Sequence, residues 1–263
     1  MRHAIAALVI AASVAACATS TTSTGRTQYV GAVSQAQLNQ LGAQAFTEAK
    51  QKGPLSTDAR QNAYVRCVVD ALVRQLPPGQ QTIAWETAVF AQKEPNAYAL
   101  PGGKVGVNSG LFDVARNQDQ LAAVIGHEIG HVVERHHDER ITRQMGAAGA
   151  VQLLGALAGN YGQLATQGGS MLAQTGFLLP GSRTQETEAD VVGQLMMAQA
   201  GFDPRAAVAL WQNMIAAGGS RPPQWLSTHP DPQSRISELQ ARAQSLLPTW
   251  EQARAAGRRP NCG

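Results

Sequence analysis

The segment His127-Glu128-Ile129-Gly130-His131 sets two imidazoles four positions apart, with a carboxylate beside the first. On a helix, positions i and i+4 share a face, so both rings can reach one zinc ion. Glu128 lies about 100° round the helix from His127, where it can meet a water on that ion rather than the ion itself. By composition alone, on the order of one chain in a hundred of this length would carry the pattern by accident, so its context has to decide. A catalytic zinc needs a third protein ligand and an open position for water.

Two places offer that ligand. His137 stands six residues after His131, the position a metzincin uses. That family turns its chain with a midway glycine, and here the residue is Glu134. A continuing helix swings His137 about 240° away from His131, which removes it from the zinc face. The other place is Glu186, with Asp190 one turn later on a separate helix. Their spacing puts two carboxylates on one face. One can ligate the metal while the other accepts a hydrogen bond from a zinc-bound imidazole and so fixes its tautomer. Glu188, about 200° round from Glu186, points elsewhere. The bland alternative is a solvated acidic face near a helix N-terminus, where acids are favoured anyway. His229 could donate to an oxyanion, occupy the open metal position at rest, or merely cap a loop. His136 and His137 read as structural or exposed, and Arg183 could pair with a carboxylate near the site.

These residues need helices to carry them. A helix opening near Asn117 or Asp119 runs through the histidines to about Arg143. Ser182 and Gln185 have capping-box spacing, and the helix they open ends at Gly201. Asp203-Pro204 and Asp231-Pro232 start two further helices, the first stopping at Gly218-Gly219, and the chain from Pro248 reads as irregular. Upstream, Ser34 can cap a helix to Lys52 with Gly53 as its stop, and a second helix covers about 57–76 before Pro77-Pro78. Residues 82–92 read as a strand. Asn96-Ala97-Tyr98-Ala99-Leu100, Pro101-Gly102-Gly103 and Lys104-Val105-Gly106-Val107 read as strand, turn and strand. The fold class is therefore α+β and mainly helical, a zincin-type domain with a small antiparallel hairpin beside the histidine helix.

Beyond the zinc pattern, Ser182-Arg183-Thr184-Gln185-Glu186-Thr187-Glu188-Ala189-Asp190 resembles the S-R-x-x-E-x-x-A-D segment of the CAAX-prenyl-protease and HtpX family of gluzincin metallopeptidases. Asn96 to Gly103 resembles that family's N-A-F-A-x-P-G-G hairpin, and Ser227-Thr228-His229-Pro230 with Arg235-Ile236 resembles its T-H-P…R-I segment. The resemblance implies His127, His131 and Glu186 as ligands of one zinc ion and Glu128 as catalytic base, with Asp190 and His229 in support. It also implies the soluble lipoprotein branch, since the transmembrane helices of the integral-membrane members are missing.

The N-terminus reads as a targeting segment. Arg2 precedes an uninterrupted small and apolar run from Ala4 to Ala16, too short to span a bilayer. It ends in Val14-Ala15-Ala16-Cys17, which resembles a bacterial lipobox with Cys17 to be acylated. The expected layout is a signal peptide over 1–16, a lipid-anchored flexible tether over 17–33, a metallopeptidase domain over 34–250 and a tail over 251–263. Ala18 after the cysteine favours the outer membrane, facing the periplasm. In an oxidising compartment Cys67 and Cys262 can pair, tying the tail to an early helix; the alternative is two separate thiols. The formal charge is only +3, and removing the leader leaves 20 basic against 18 acidic side chains. That balance excludes nucleic acid as a partner. Residues 145–182 hold no charged side chain, yet scattered glutamines and glycines favour a covered helical hairpin over a membrane span.

The chemistry this set supports is peptide hydrolysis. Water acidified by zinc gives its proton to Glu128, attacks a polarised carbonyl, and Glu128 returns the proton to the leaving amine. The strand at Asn96, Ala97, Tyr98 and Ala99 offers an edge for an extended substrate, main chain to main chain, which suits unfolded or misassembled envelope proteins. The competing reading is a zinc-bearing assembly factor or chaperone for outer-membrane proteins, with envelope assembly or protease partners and little proteolysis.

Overall fold

The computed structural model describes residues 18–157, 181–218, 229 and 232–263, with the backbone alone at 147–157, 218 and 232. The leader, Cys17 and most of the uncharged stretch lie outside the described residues, as do Ser227, Thr228 and Pro230.

The first element corrects an expectation. Residues 17–33 were to be a flexible tether, yet β1 (Ala18–Thr21) and β2 (Thr27–Val30) form an antiparallel hairpin, with Ala18 opposite Val30. Serines and threonines read as solvated linker only while nothing buried needs their hydroxyls. Here Thr22 and Gln28 are buried, and Val30 is fully so. Helix α1 (Gln35–Lys52) follows, closed at its start by a capping box between Ser34 and Gln37. Helix α2 (Ala59–Val73) is capped by Asp58 and sends Val65, Val68, Val69 and Leu72 into the core.

After a single turn of helix, α3 (Pro78–Gln81), come the three strands β3 (Glu86–Phe90), β4 (Ala97–Leu100) and β5 (Lys104–Asn108). The sheet order is β3-β5-β4. The β4–β5 pair is the antiparallel hairpin expected of it, and β3 joins β5 in parallel. The turn between β4 and β5 uses Gly102 and Gly103 at φ 79° and 73°, a region that side chains disfavour. Strand β4 is thus an edge of this sheet.

Helix α4 (Gln118–Val133) carries the two histidines and is capped by Asn117, whose side chain accepts from the Gln120 N–H. It is buried along almost its whole length: Leu121, Val124, Ile125 and Ile129 are each 0% exposed. Such a helix belongs in the middle of a domain, and α4 lies between β4 on one side and two later helices on others. The helix does not continue to Arg143, which corrects the second expectation. Arg135 adopts φ 57°, and α5 (His136–Leu157) starts afresh behind it. The break occurs without a glycine. Arg135 is anchored by Asp138, and Gln28 donates to the freed Glu134 carbonyl at 2.8 Å.

Helix α6 (Arg183–Ala200) opens with the Ser182–Gln185 capping box and closes at Gly201 with φ 92°. It crosses α4 at small residues. A Cβ on Gly193 would stand 2.8 Å from the backbone of Gly126 and His127, and one on Gly130 would stand 2.7 Å from the Ala189 carbonyl. The missing side chains let the two backbones touch, and that closeness brings the acids of α6 to the histidines of α4.

Helix α7 (Ala206–Gly218) and helix α8 (Pro232–Ala255) complete the described chain. Helix α8 runs through Pro248, so the expected irregular tail from that residue is corrected. Tertiary packing outweighs the local cost of the proline: Trp250 donates to the Gly201 carbonyl at 3.1 Å, and Ala253 is fully buried. The last residues then run back to α2. Cys67 and Cys262 form a disulfide with 5.5 Å between their Cα atoms. Gln118, at the start of α4, clasps this tail by donating to the Pro260 carbonyl and accepting from the Cys262 N–H.

Candidate metal centre

Four side chains converge between α4, α6 and His229. One ligand atom from each of His127, His131, Glu186 and His229 lies within 4.8 Å of the others, and all four residues are buried. The Nε2 atoms of His127 and His131 are 3.1 Å apart. Glu186 places Oε2 3.3 Å from His127 Nε2 and Oε1 3.5 Å from His131 Nε2.

These spacings can be tested against a metal. Zinc bonds of about 2.0–2.1 Å in a tetrahedron put ligand atoms about 3.3 Å apart. The three separations straddle that value. A second observation concerns Glu186 itself: its Oε1 is buried and has no hydrogen-bond partner among the described residues. A buried carboxylate oxygen without a donor is costly and calls for a cation. Two imidazoles and a carboxylate are a donor set that suits zinc.

The electrostatics agree. Burial works to raise the Glu186 carboxyl, yet the imidazoles of His229 and His127 and the Arg235 guanidinium hold it down at about 2. Burial likewise opposes the charge on Asp190, and Arg235 and His127 drive it below the usual carboxylate range. For His127, burial and Arg235 disfavour a proton, but Asp190 and Glu186 outweigh them and lift it to about 9. Burial pushes His131 well below the ordinary imidazole value, so that ring is neutral. The site is thus negative enough to favour a cation and holds a neutral imidazole ready to ligate one.

Each ring is oriented from behind. His127 Nδ1 donates to Asp190 Oδ1 at 2.9 Å, which directs Nε2 at the site, where a metal ion would displace its proton. Asp190 is held by Arg235, whose Nε and one terminal nitrogen each donate to it at 2.7 Å; the other terminal nitrogen donates to Glu186 Oε2 at 2.9 Å. The guanidinium stacks 4.1 Å from the centroid of Trp211. His131 Nδ1 meets His136 Nδ1 at 2.8 Å. Glu128 is buried beside the cluster, with Oε1 3.3 Å from His229 Nε2.

The structure therefore brings together His127, His131, Glu186, His229, Glu128 and Asp190. The solvated acidic face does not exist: Glu186, Glu188 and Asp190 are all buried. His137 stays out of the cluster, though the reason is the break at Arg135 rather than helical rotation. Strand β4 begins at Ala97, one residue after Asn96, whose carbonyl is taken by the Asn108 N–H at 2.9 Å; Ala97 and Ala99 are buried and Tyr98 half-buried. Arg183 is exposed on α6, and the arginine that bonds the carboxylates of Asp190 and Glu186 is Arg235. Its role was not legible from an isolated arginine in a loop-proximal helix. Two signals were available: its place in the T-H-P…R-I segment, and charge balance, since acids buried on α6 demand a cation from some other element.

A family model described as "Peptidase family M48" matches residues 59–243 of the chain. Over 164 residues the chain is 41% identical to the mitochondrial metalloendopeptidase OMA1 of Schizosaccharomyces pombe, an alignment that covers 62% of this chain and 48% of that protein. Over 237 residues it is 30% identical to the beta-barrel assembly-enhancing protease of Escherichia coli K12, covering 86% of this chain and 47% of that protein. The corresponding figures for OMA1 of Arabidopsis thaliana are 37% identity over 161 residues, with 61% and 32% covered. The chain thus spans half the length, or less, of these relatives.

Proposed function

We propose that this chain, which belongs to peptidase family M48, is a zinc-dependent endopeptidase of the bacterial envelope. The observation that carries the reading is the convergence of His127, His131 and Glu186 from two helices, with a buried Glu186 oxygen lacking any other partner among the described residues.

His127, His131 and Glu186 would hold the ion, one per chain, and Asp190 with Arg235 fixes the His127 ring. Zinc bound there supplies Lewis acidity toward water and a peptide carbonyl. Glu128 is the base: it takes a proton from the attacking water and delivers it to the leaving amine. His229 has its donor atom within the ligand cluster and within reach of Glu128. That placement would let His229 either add a donor to the ion or hydrogen-bond the developing oxyanion. Strand β4, an open edge packed against α4, accepts the substrate backbone as an added strand.

Substrates of this type are extended and tolerant in side chain, which fits unfolded or misassembled envelope proteins. The disulfide supports an oxidising compartment. The lipobox at Cys17 supports a lipid anchor, with the outer membrane favoured by Ala18, and among the described residues no helix is long and apolar enough to cross a membrane. Within the family, the motifs around Asn96, Ser182 and His229 resemble the CAAX-prenyl-protease and HtpX type, while the relatives matched are OMA1 and the beta-barrel assembly-enhancing protease. A second reading, an assembly factor for outer-membrane proteins, is favoured by the name of the E. coli relative.

The deciding experiment measures bound zinc and casein cleavage, before and after chelation, for wild type and Glu128→Gln. The variant should keep its zinc and lose roughly 10²–10⁴-fold in rate. Wild-type protein that binds no zinc and cuts nothing ends the enzyme reading. A Glu128→Gln variant that still corrects the phenotype of a deletion strain moves the function to assembly.

A further inference from the structure

The second metal-facing imidazole is oriented by a route that leads to the N-terminal hairpin. His131 Nδ1 lies 2.8 Å from His136 Nδ1, and His136 Nε2 lies 3.0 Å from Glu188 Oε2. Glu188 is then surrounded by donors of the hairpin: Thr22 Oγ1 at 2.7 Å, Thr24 Oγ1 at 2.9 Å, and two nitrogens of Arg26 at 2.9 and 2.8 Å. The same guanidinium grips both oxygens of Glu139, at 2.7 and 2.9 Å, and Gln185 donates to Glu139 at 2.6 Å. His136, Glu139 and Glu188 are each 0% exposed.

Proton counting gives this chain of contacts a direction. Glu188, paired with a guanidinium, can only accept. His136 must therefore donate through Nε2, and its Nδ1 is left as an acceptor. His131 must then carry its proton on Nδ1 and present a bare Nε2 to the cluster, the tautomer a metal requires. On the other ring Asp190 does this work directly; for His131 the carboxylate acts through His136.

We propose that the Ala18–Val30 hairpin is a positioning element of the metal centre, in which Arg26, Thr22 and Thr24 hold Glu188 so that His136 sets the tautomer and orientation of His131. The inference rests on the zinc reading above, and extends it to a segment that precedes the family-matched residues 59–243. None of the hairpin residues belongs to the ligand cluster. They are positioning residues, and displacing the hairpin from α6 weakens the grip on zinc.

The test uses the full chain, stripped of metal, with zinc affinity read by competition against a chromophoric chelator and unfolding in excess chelator measured in parallel. Removing an outer-shell partner of a zinc-bound histidine costs about 10–100-fold in affinity, and that range is expected for His136→Phe and Arg26→Met. His136→Asn keeps an acceptor facing His131 Nδ1 and should restore most of the loss. Should Arg26→Met fail to fold, the paired Thr22→Val and Thr24→Val variant removes two donors to Glu188 while keeping the guanidinium, and its affinity should fall while its metal-free stability changes little. Wild-type zinc affinity in these variants overturns the proposal. So does a loss that His136→Asn shares in full, or one that follows metal-free stability and nothing else. Failure of the wild type itself to bind zinc overturns the functional reading instead.

Discussion

Replacing Arg235 with methionine is the sharpest test of how the site is held. Arg235 is 2% exposed and is the cation between Asp190 and Glu186, with three hydrogen bonds of 2.7 to 2.9 Å to their carboxylates. Methionine keeps the apolar stem against Trp211 and removes only the charged fork. Summing three charge-assisted bonds would overstate the loss, because Asp190 retains the His127 donor and either acid can take up a proton instead. The better guide is the cost of removing one member of a buried ion pair, about 3–5 kcal/mol. In a domain of this size that lowers the melting temperature by roughly 6–20 °C.

The pH dependence of this loss has a definite sign. Glu186 is held at about 2, and Asp190 below its usual range, in the native protein. Groups with depressed folded values contribute stability above their unfolded values, near pH 4, and lose it as pH falls toward the folded ones. Arg235→Met abolishes much of that contribution. The gap between the two proteins should therefore be full at pH 7 and close progressively below about pH 4. Urea unfolding in excess chelator, across that pH range, measures it. A neutral-pH loss under about 1 kcal/mol, or a gap that widens in acid, would refute the assignment of Arg235 as the counter-ion.

Three further outcomes follow from the packing and the network. Gly193→Ala drives a methyl against the backbone of Gly126 and His127; overpacking of this kind costs about 1–3 kcal/mol, and the shifted α6 should bind zinc more weakly in chelator competition. Cys262→Ser opens a bridge that spans 195 positions, and should cost about 2–5 kcal/mol by denaturant unfolding, with the same loss on reduction of the wild type. Asp190→Asn leaves the geometry in place but weakens the acceptor for His127 Nδ1, and should raise the zinc dissociation constant about 10–100-fold while Glu128 stays in position.

Local signals were readable wherever they acted locally. Ser34 and Ser182 announce their helices because a capping box is satisfied within four residues. His127 and His131 share a face by helical rotation alone, and Glu186 with Asp190 likewise. What could not be read depended on distant partners. Arg135 turns the chain at positive φ with no glycine to mark it, because Asp138 and Gln28 satisfy the groups the break exposes. The hairpin at Ala18–Val30 has the composition of a linker, and it is the buried Glu188 that gives its hydroxyls a reason to be ordered. Pro248 would end a solitary helix, but Trp250 and Ala253 are packed from outside it.

The same dependence explains why α6 can bury three acids within five residues. Glu186 is turned to the cluster, where a bound metal ion would neutralise it. The other two stand behind the two histidines, Asp190 directly behind His127 and Glu188 behind His131 through His136. Each needs a cation, and α6 supplies none that is buried. Arg235 comes from α8, downstream of the site, and Arg26 from the hairpin far upstream. A pair of buried carboxylates has thus recruited one arginine from each end of the described chain. The helices α4 and α6 bring the donors into range, but they do so with charges they cannot balance alone. The intact centre therefore requires both flanking segments folded against it, even though every atom that faces the metal belongs to the residues between them.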